Sequence, residues 1–350
     1  MKKYFGTDGI RGKANELLTA ELALKLGQYL GYKFKGENLV IAKDPRQSSD
    51  MLEHALASGI VSSGANAYLL GVLPTPALAY IVKEEAFSAG VMISASHNPY
   101  HDNGLKFFSG NGLKMNDQLE SEIEAYLEGD ITIPLNYEMG QVIDYTEGKN
   151  IYIDYVESIV DVNLKGLKIV LDLANGASVT TAYQVFKDLG ADIVVMNDKP
   201  NGVNINDKAG STYISYLQKK VVEEKADFGF AFDGDADRVL ASDHKGNLID
   251  GDKILYVLAK SMHEDGKLKD NTVVSTVMAN LGFIHSMKDN HFKVIQTDVG
   301  DRHVAKEMFD HGYTLGGEQS GHILIKEFGT TGDGVMVALK LAETVKKTNT

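Results

Sequence analysis

Apolar and polar positions along this chain repeat one arrangement three times. Leu39-Val-Ile-Ala-Lys-Asp44 predicts a strand, followed by a Pro/Ser turn and a helix from about Ser49 to Ser62. Leu167-Lys-Ile-Val-Leu-Asp172 predicts a second strand, then Leu-Ala-Asn-Gly-Ala and a helix through about Leu189. Thr272-Val-Val-Ser-Thr-Val277 predicts a third, with a helical stretch to about Lys288. Each helix leads to another apolar strand, at Ala67-Tyr-Leu-Leu70, Ala191-Asp-Ile-Val-Val-Met196 and Phe292-Lys-Val-Ile-Gln296. Alternating strands and helices imply α/β layering around a largely parallel or mixed sheet. The expected fold class is therefore α/β, built from three similar units in tandem. Linkers are expected near Thr146 to Asn150 and near Asp250, which divides the chain into 1–150, 151–250 and 251–350. Chance similarity among α/β segments is the competing explanation. The most apolar long stretch, Ala55 to Val82, is broken by Gly, Ser, Pro74 and Pro76, so it reads as helix, strand and turn, not as a membrane span.

Each copy ends in a strand that opens onto a polar loop. Ala89-Gly-Val-Met-Ile-Ser-Ala95 opens onto Ser96-His-Asn-Pro99. Asp227-Phe-Gly-Phe-Ala-Phe232, a buried strand by its aromatic and small residues, opens onto Asp233-Gly-Asp-Ala-Asp-Arg238. Tyr313-Thr-Leu opens onto Gly316-Gly-Glu-Gln-Ser-Gly-His322. Ligands of open α/β sheets bind beyond the carboxyl ends of strands, so three such loops could converge on one cleft.

The acidic loop carries the sharpest chemistry. Two like charges 4 Å apart cost about 4 kcal/mol at an effective dielectric near 20, and Asp233, Asp235 and Asp237 alternate with small residues. A hard divalent cation, magnesium by preference for carboxylate and phosphate oxygens, would offset that repulsion. A solvated acidic turn is the alternative. An EF-hand fits poorly, because Arg238 and His244 stand where its Gly and Glu belong.

Pro99 sets its own φ and pushes Asn98 toward extended backbone, which would hold Ser96 exposed at a strand end. A serine so placed can carry a phosphoryl group; taken alone, a turn serine bonded to its own backbone is the stronger reading. His97 reads as a structural donor in that turn. Asp102-Asn-Gly-Leu-Lys106 adds a second turn and a cation. Gly6-Thr-Asp-Gly-Ile-Arg-Gly12 has no preceding strand and no Gly-x4-Gly-Lys-Ser/Thr pattern; its amides and Arg11 could cradle a phosphate, or Arg11 could be a surface residue of an N-terminal loop. Glu318, Gln319, Ser320 and His322 offer groups that suit sugar hydroxyls or an amine. Asp298-Val-Gly-Asp-Arg-His303, with Asp301 and Arg302, is a specificity loop or a plain turn.

Composition narrows the classes. Among 350 residues, 43% hydrophobic, there is no cysteine, which excludes disulfides, thiol nucleophiles and Cys-ligated zinc. The formal net charge of −13 argues against a nucleic-acid partner. It also requires that local basic residues and helix N-termini supply the attraction for any anionic ligand. Met1-Lys-Lys-Tyr-Phe-Gly has no apolar run behind its lysines. A cytoplasmic protein with no membrane partner is expected.

Four of these segments, in order and spacing, resemble the motifs of the α-D-phosphohexomutase superfamily: Gly6 to Gly12, Ile93-Ser-Ala-Ser-His-Asn-Pro99, Asp233 to Arg238, and Gly317-Glu-Gln-Ser-Gly-His322. The likeness runs from Lys3 to about Lys340. The Ser-Ala-Ser-His-Asn-Pro form and the Gln of the last motif favour the branch acting on glucosamine phosphates over phosphoglucomutase or phosphomannomutase. The resemblance implies mixed sheets sandwiched by helices, with the units arranged around a central cleft. It implies that Ser96 is a phosphoserine that donates and recovers the phosphoryl group, and that its phosphate with Asp233, Asp235 and Asp237 binds one Mg2+. It further implies that Arg238 steadies the moving phosphoryl group and that Lys106 and His322 serve proton transfer. Arg11 would lie near the phosphoserine, and Glu318 and Ser320, with Asp301 and Arg302, would contact the substrate. The reaction implied is glucosamine 6-phosphate to glucosamine 1-phosphate through glucosamine 1,6-bisphosphate, for amino-sugar and cell-wall precursors, by a monomer or a homodimer. The family's Arg-x-Ser-Gly-Thr-Glu-Pro phosphate loop, on a fourth domain, does not occur before Thr350. That implies an incomplete chain with weak or no activity. Two readings compete. A haloacid-dehalogenase-type phosphatase would use Asp233 as nucleophile, but Asp237 stands where that pattern wants Thr or Val. A non-catalytic sugar-phosphate binding module would bind without exchange.

Overall fold

The computed structural model describes residues 3–6, 8–134 and 137–348. Met1 and Lys2 of the N-terminal segment, Thr7 of the first glycine-rich motif and the terminal Thr350 lie outside them. Contacts divide the chain into two compact units, 1–152 with 200–207, and 153–199 with 208–350.

The first unit is built on a seven-stranded sheet among the described residues. Asn38–Lys43, Asn66–Val72, Ala89–Ile93 and Val142–Asp144 run parallel; Asp102–Ser109 and Gly9–Lys13 continue the sheet antiparallel. Alternation along the strands sends residues to opposite faces. Leu39, Ile41, Val91, Ile93, Leu105 and Phe107 join a core with the helices Ala20–Lys33, Ser49–Ser62 and Asp117–Glu128. On the other face, Thr75–Glu84 lies so close that a Cβ on Gly90 would come 2.4 Å from Val82 Cγ2. The first two helices also cross tightly. A Cβ on Gly27 would stand 2.1 Å from the Leu56 carbonyl oxygen, so only glycine permits that approach. Glu124 of the last helix accepts from the backbone N–H of Tyr4 (2.6 Å) and Phe5 (2.9 Å), which ties down the N-terminal strand.

The second unit holds two sheets. One has the order Leu248–Ile249, Val239–Asp243, Phe228–Phe232, Lys168–Asp172, Asp192–Met196, parallel in its last three strands. The other has the order Lys293–Thr297, Thr272–Thr276, Leu315–Gly317, Ile323–Ile325, antiparallel only at its last pair. Helices Gly251–Glu264 and Gly334–Thr348 flank them. All three sheets are thus mixed, as the α/β reading expected.

Several local expectations change. The glycine-rich N-terminal motif is not strandless: Phe5–Gly6 and Gly9–Lys13 form an antiparallel hairpin. Asp102 to Lys106 is not a second turn but the start of strand Asp102–Ser109, paired on both edges. The Pro74–Pro76 region is not a plain turn. Pro76 sits in the first turn of Thr75–Glu84, where a missing N–H costs nothing. The helix expected through Leu189 is split into a 3-10 turn, Ala177–Thr180, and Ala182–Asp188. Thr146–Gly148 is a 3-10 turn running directly into the helix Lys149–Ser158, and Asp250 is a helix N-cap accepting from Lys253 N–H.

Candidate active site

In the first unit, Ser96 follows the fully buried strand Ala89–Ile93. It is 1% exposed, not presented to solvent as the Pro99 argument expected. The loop folds back because its backbone is tied on both sides. Ser96 N–H donates to Ser94 Oγ (2.9 Å), and its carbonyl accepts from Arg46 Nη2 (2.8 Å) and Asn206 Nδ2 (2.9 Å). Its φ of +52° is left-handed, a conformation non-glycine residues hold only when their surroundings impose it. Ser96 Oγ lies 3.5 Å from His97 Nδ1.

The N-terminal hairpin and the strand of Lys106 gather charge in the same unit. Asp8 pairs with Arg11, with Lys114 and, at 3.4 Å, with Lys106, which is only 2% exposed. Burial would raise the Asp8 pKa; Lys106, Lys114 and Arg11 overcome it and hold the carboxyl well below the usual range. Asp8 therefore stays ionised, and the buried Lys106 ammonium has its counter-charge.

The second unit brings the acidic loop and the Gly-Glu-Gln-Ser-Gly-His loop together. Asp233, Asp235 and Asp237 are buried, and one oxygen from each lies within 4.8 Å of the others, so they could hold a metal ion. Ala236 is left-handed (φ +56°), which turns the chain sharply inside the triad. A Cβ on Gly176 would stand 2.5 Å from the Gly234 carbonyl oxygen, so this glycine lets a neighbouring loop support the acidic one. Just beyond the triad, Arg238 and His322 form a β-bridge, and Val239 N–H donates to the Gly321 carbonyl at 3.1 Å. Burial disfavours the Arg238 charge, but the carboxylates of Asp237, Asp233, Glu318 and Asp235 outweigh it and raise its pKa above the ordinary value. Glu318 Oε1 accepts from Gly300 N–H (3.2 Å), and His322 Nε2 lies 3.5 Å from Asp301 Oδ2. Asp301 and Arg302 open the helix Asp301–His311. Ser320 Oγ is buried with no hydrogen-bond partner among the described residues.

Sequence reasoning passed over Asp44, Arg46, Asp172 and Asn206. Asp44 and Asp172 are fully buried at equivalent strand ends. Asp172 accepts from Ala174 N–H (3.0 Å), Asn197 Nδ2 (2.8 Å) and Gly210 N–H (3.0 Å), bonds that partly counter the rise burial imposes on its pKa. The repeated strand-then-Asp pattern was the available signal.

Sequence models of the phosphoglucomutase/phosphomannomutase alpha/beta/alpha domains I, II and III match residues 2–132, 150–246 and 250–350. A phosphoglucosamine mutase of Clostridium kluyveri is 50% identical over 355 residues, covering 99% of this chain and 79% of that one. The chain belongs to the phosphoglucomutase/phosphomannomutase family. It is accordingly a phosphohexomutase, an isomerase-class enzyme of intramolecular phosphoryl transfer, and the haloacid-dehalogenase alternative falls. Two solved structures share the family fold. A family protein from Burkholderia thailandensis superposes with a TM-score of 0.84 at 24% identity, over 98% of this chain and 76% of that one. The Aspergillus fumigatus N-acetylphosphoglucosamine mutase, in complex with GlcNAc-6P and magnesium, gives 0.65 at 16% identity over 100% and 78%. Among the described residues no helix is long and apolar enough to cross a membrane.

Proposed function

We propose that this chain interconverts glucosamine 6-phosphate and glucosamine 1-phosphate, with Ser96 as the phosphoryl carrier and glucosamine 1,6-bisphosphate as the intermediate. The observation that carries the reading is the buried triad Asp233, Asp235, Asp237, next to which Arg238 bridges by backbone to His322 of the 316–322 loop. The half-identical phosphoglucosamine mutase relative supports the amino sugar as substrate. Three buried carboxylates offer the hard oxygen donors that Mg2+ selects. When bound, that ion would offset their repulsion and withdraw charge from a phosphoryl group.

The protein's own residues supply the rest. Phosphoserine 96 gives its phosphoryl group to the free sugar hydroxyl, whose proton goes to His322, while the Lys106 ammonium protonates the departing serine oxygen, and the bisphosphate forms. After the sugar reorients, Lys106, left neutral by the first transfer, takes the Ser96 proton as the serine oxygen attacks the other phosphate, and His322 returns its proton to the departing sugar oxygen, releasing the isomeric monophosphate and restoring both groups. Arg238 screens the moving charge, while Glu318, Ser320, Asp301 and Arg302 hold the sugar and Arg11 lies by the phosphoserine. We assign 1–150, 151–250 and 251–350 as the three domains, and place the enzyme in the cytoplasm, as monomer or homodimer.

The test is intact-mass analysis after incubation with glucosamine 1,6-bisphosphate and Mg2+. A gain of about 80 Da on the parent chain, mapped to Ser96 and absent from Ser96→Ala, is expected. Label on the Ser96→Ala variant, or on an aspartate, refutes the assignment.

A further inference from the structure

Four buried or nearly buried side chains brace the Ser96 loop: three bond its backbone, and Asp44 bonds two of those three. Arg46 is 2% exposed and its guanidinium is fully engaged. Nε donates to Asp44 Oδ2 (2.8 Å), Nη2 to the carbonyls of Ser96 and Asn98 (both 2.8 Å), and Nη1 to those of Asp102 (3.0 Å) and Pro99. Asp44 Oδ2 also accepts from Ser94 Oγ (2.6 Å), the same hydroxyl that receives Ser96 N–H. The fourth side chain comes from far along the chain. Residues 200–207 leave the sequence of the second unit to join the first, and Asn206 Nδ2 donates to Ser96 O (2.9 Å) and Asn98 O (3.2 Å). Gln47 N–H, next to Arg46, holds the excursion through the Gly202 carbonyl at 2.9 Å.

Two donors on separate segments thus bind the same two carbonyl oxygens. We propose that Arg46 and Asn206 are positioning residues that lock Ser96 in its left-handed conformation, and that the 200–207 excursion is the latch completing the lock. The reason is geometric. A left-handed non-glycine residue relaxes unless its peptide groups are held. The N–H of Ser96 is held by Ser94, and Arg46 and Asn206 hold its carbonyl. Arg46 also places a fixed positive charge under a loop that would alternate between a neutral hydroxyl and a dianionic phosphate. Lysine could not replace it, since one ammonium cannot span four carbonyls and a carboxylate. This inference rests on the Ser96 reading above for its catalytic consequence, though not for the lock itself.

The experiment compares the parent chain with Asn206→Ala and Arg46→Lys. Amide hydrogen exchange of peptides spanning 94–102 reads the lock directly. Exchange about tenfold faster or more is expected in both variants, with the strands Asn38–Lys43 and Asn66–Val72 unchanged. The rate at which Ser96 takes phosphate from glucosamine 1,6-bisphosphate, followed by mass against donor concentration, reads the consequence. The maximal rate should fall about tenfold, equal to ~1.4 kcal/mol of barrier, while the half-saturating concentration stays within about twofold, because nothing that touches the donor is removed. Unchanged loop exchange in Asn206→Ala, the milder variant, overturns the lock. Faster exchange with an unchanged maximal rate overturns the positioning role. A parent chain that takes no phosphate on Ser96 overturns the assignment of Ser96 as the carrier in this chain, and loop exchange then decides the lock alone.

Discussion

Replacing Asp8 by asparagine tests the electrostatic centre of the first unit. Asp8 faces Lys106 at 3.4 Å and also meets Lys114 and Arg11. At that separation and an effective dielectric near 20, one such pair is worth ~5 kcal/mol before desolvation. Removing one partner of a buried pair costs about 3–5 kcal/mol, because the other charge is left behind. Lys106 is 2% exposed, whereas the Asp8 and Lys114 side chains are 17% and 24% exposed, so water relieves only the latter two. The expected loss for Asp8→Asn is about 3 kcal/mol at neutral pH, the lower end of that range. The sign with pH follows from the depressed pKa of the folded carboxyl. A depressed group stabilises the fold fully above its unfolded pKa of about 4, and that contribution fades as pH falls through the lower folded value. The gap between parent and variant should therefore be flat from pH 8 to about 5 and close only in acid. Urea-dependent amide exchange of the strands Gly9–Lys13 and Asp102–Ser109 reports the unit that contains the pair. A gap under about 1 kcal/mol at pH 7, or one that widens in acid, refutes the reasoning.

Two further outcomes are expected besides the Ser96 labelling and loop-exchange experiments. Mg2+ should raise the unfolding free energy of the second unit by about 2.7 kcal/mol at a hundredfold excess over its dissociation constant. Asp235→Asn should abolish that response while leaving the metal-free protein as stable as the parent or more so, since one of three like charges is gone; an equal Mg2+ response in calorimetry would exclude the triad as the site. Gly27→Ala should lower the melting temperature, because a Cβ 2.1 Å from the Leu56 carbonyl oxygen costs about 1–3 kcal/mol in overpacking, more than the ~0.5–1 kcal/mol gained in helix propensity; a higher melting temperature would mean that the helix pair moves apart without strain.

The acidic loop was legible because its physics is local. Three carboxylates at alternate positions after an apolar strand are conspicuous wherever the chain goes, and Asp233, Asp235 and Asp237 are indeed buried together. The same holds for strand and helix periods: Asn38–Lys43 and Ser49–Ser62 begin and end within a residue of their apolar pattern. Long-range partners were not legible. The exposure of Ser96 was misread because Pro99 constrains only its neighbours, whereas burial came from Arg46, fifty residues before it, and Asn206, 110 after it. Lys106 looked like a turn cation because Asn103-Gly104 reads as turn chemistry, yet pairing on both edges overrode that local preference. Sequence alone determined which residues are apolar, which are acidic and at what period they recur, since these properties travel with each side chain. Only the tertiary structure decided which backbone groups those side chains serve, because a hydrogen bond between distant segments depends on where the fold returns the chain, and no local pattern encodes that return.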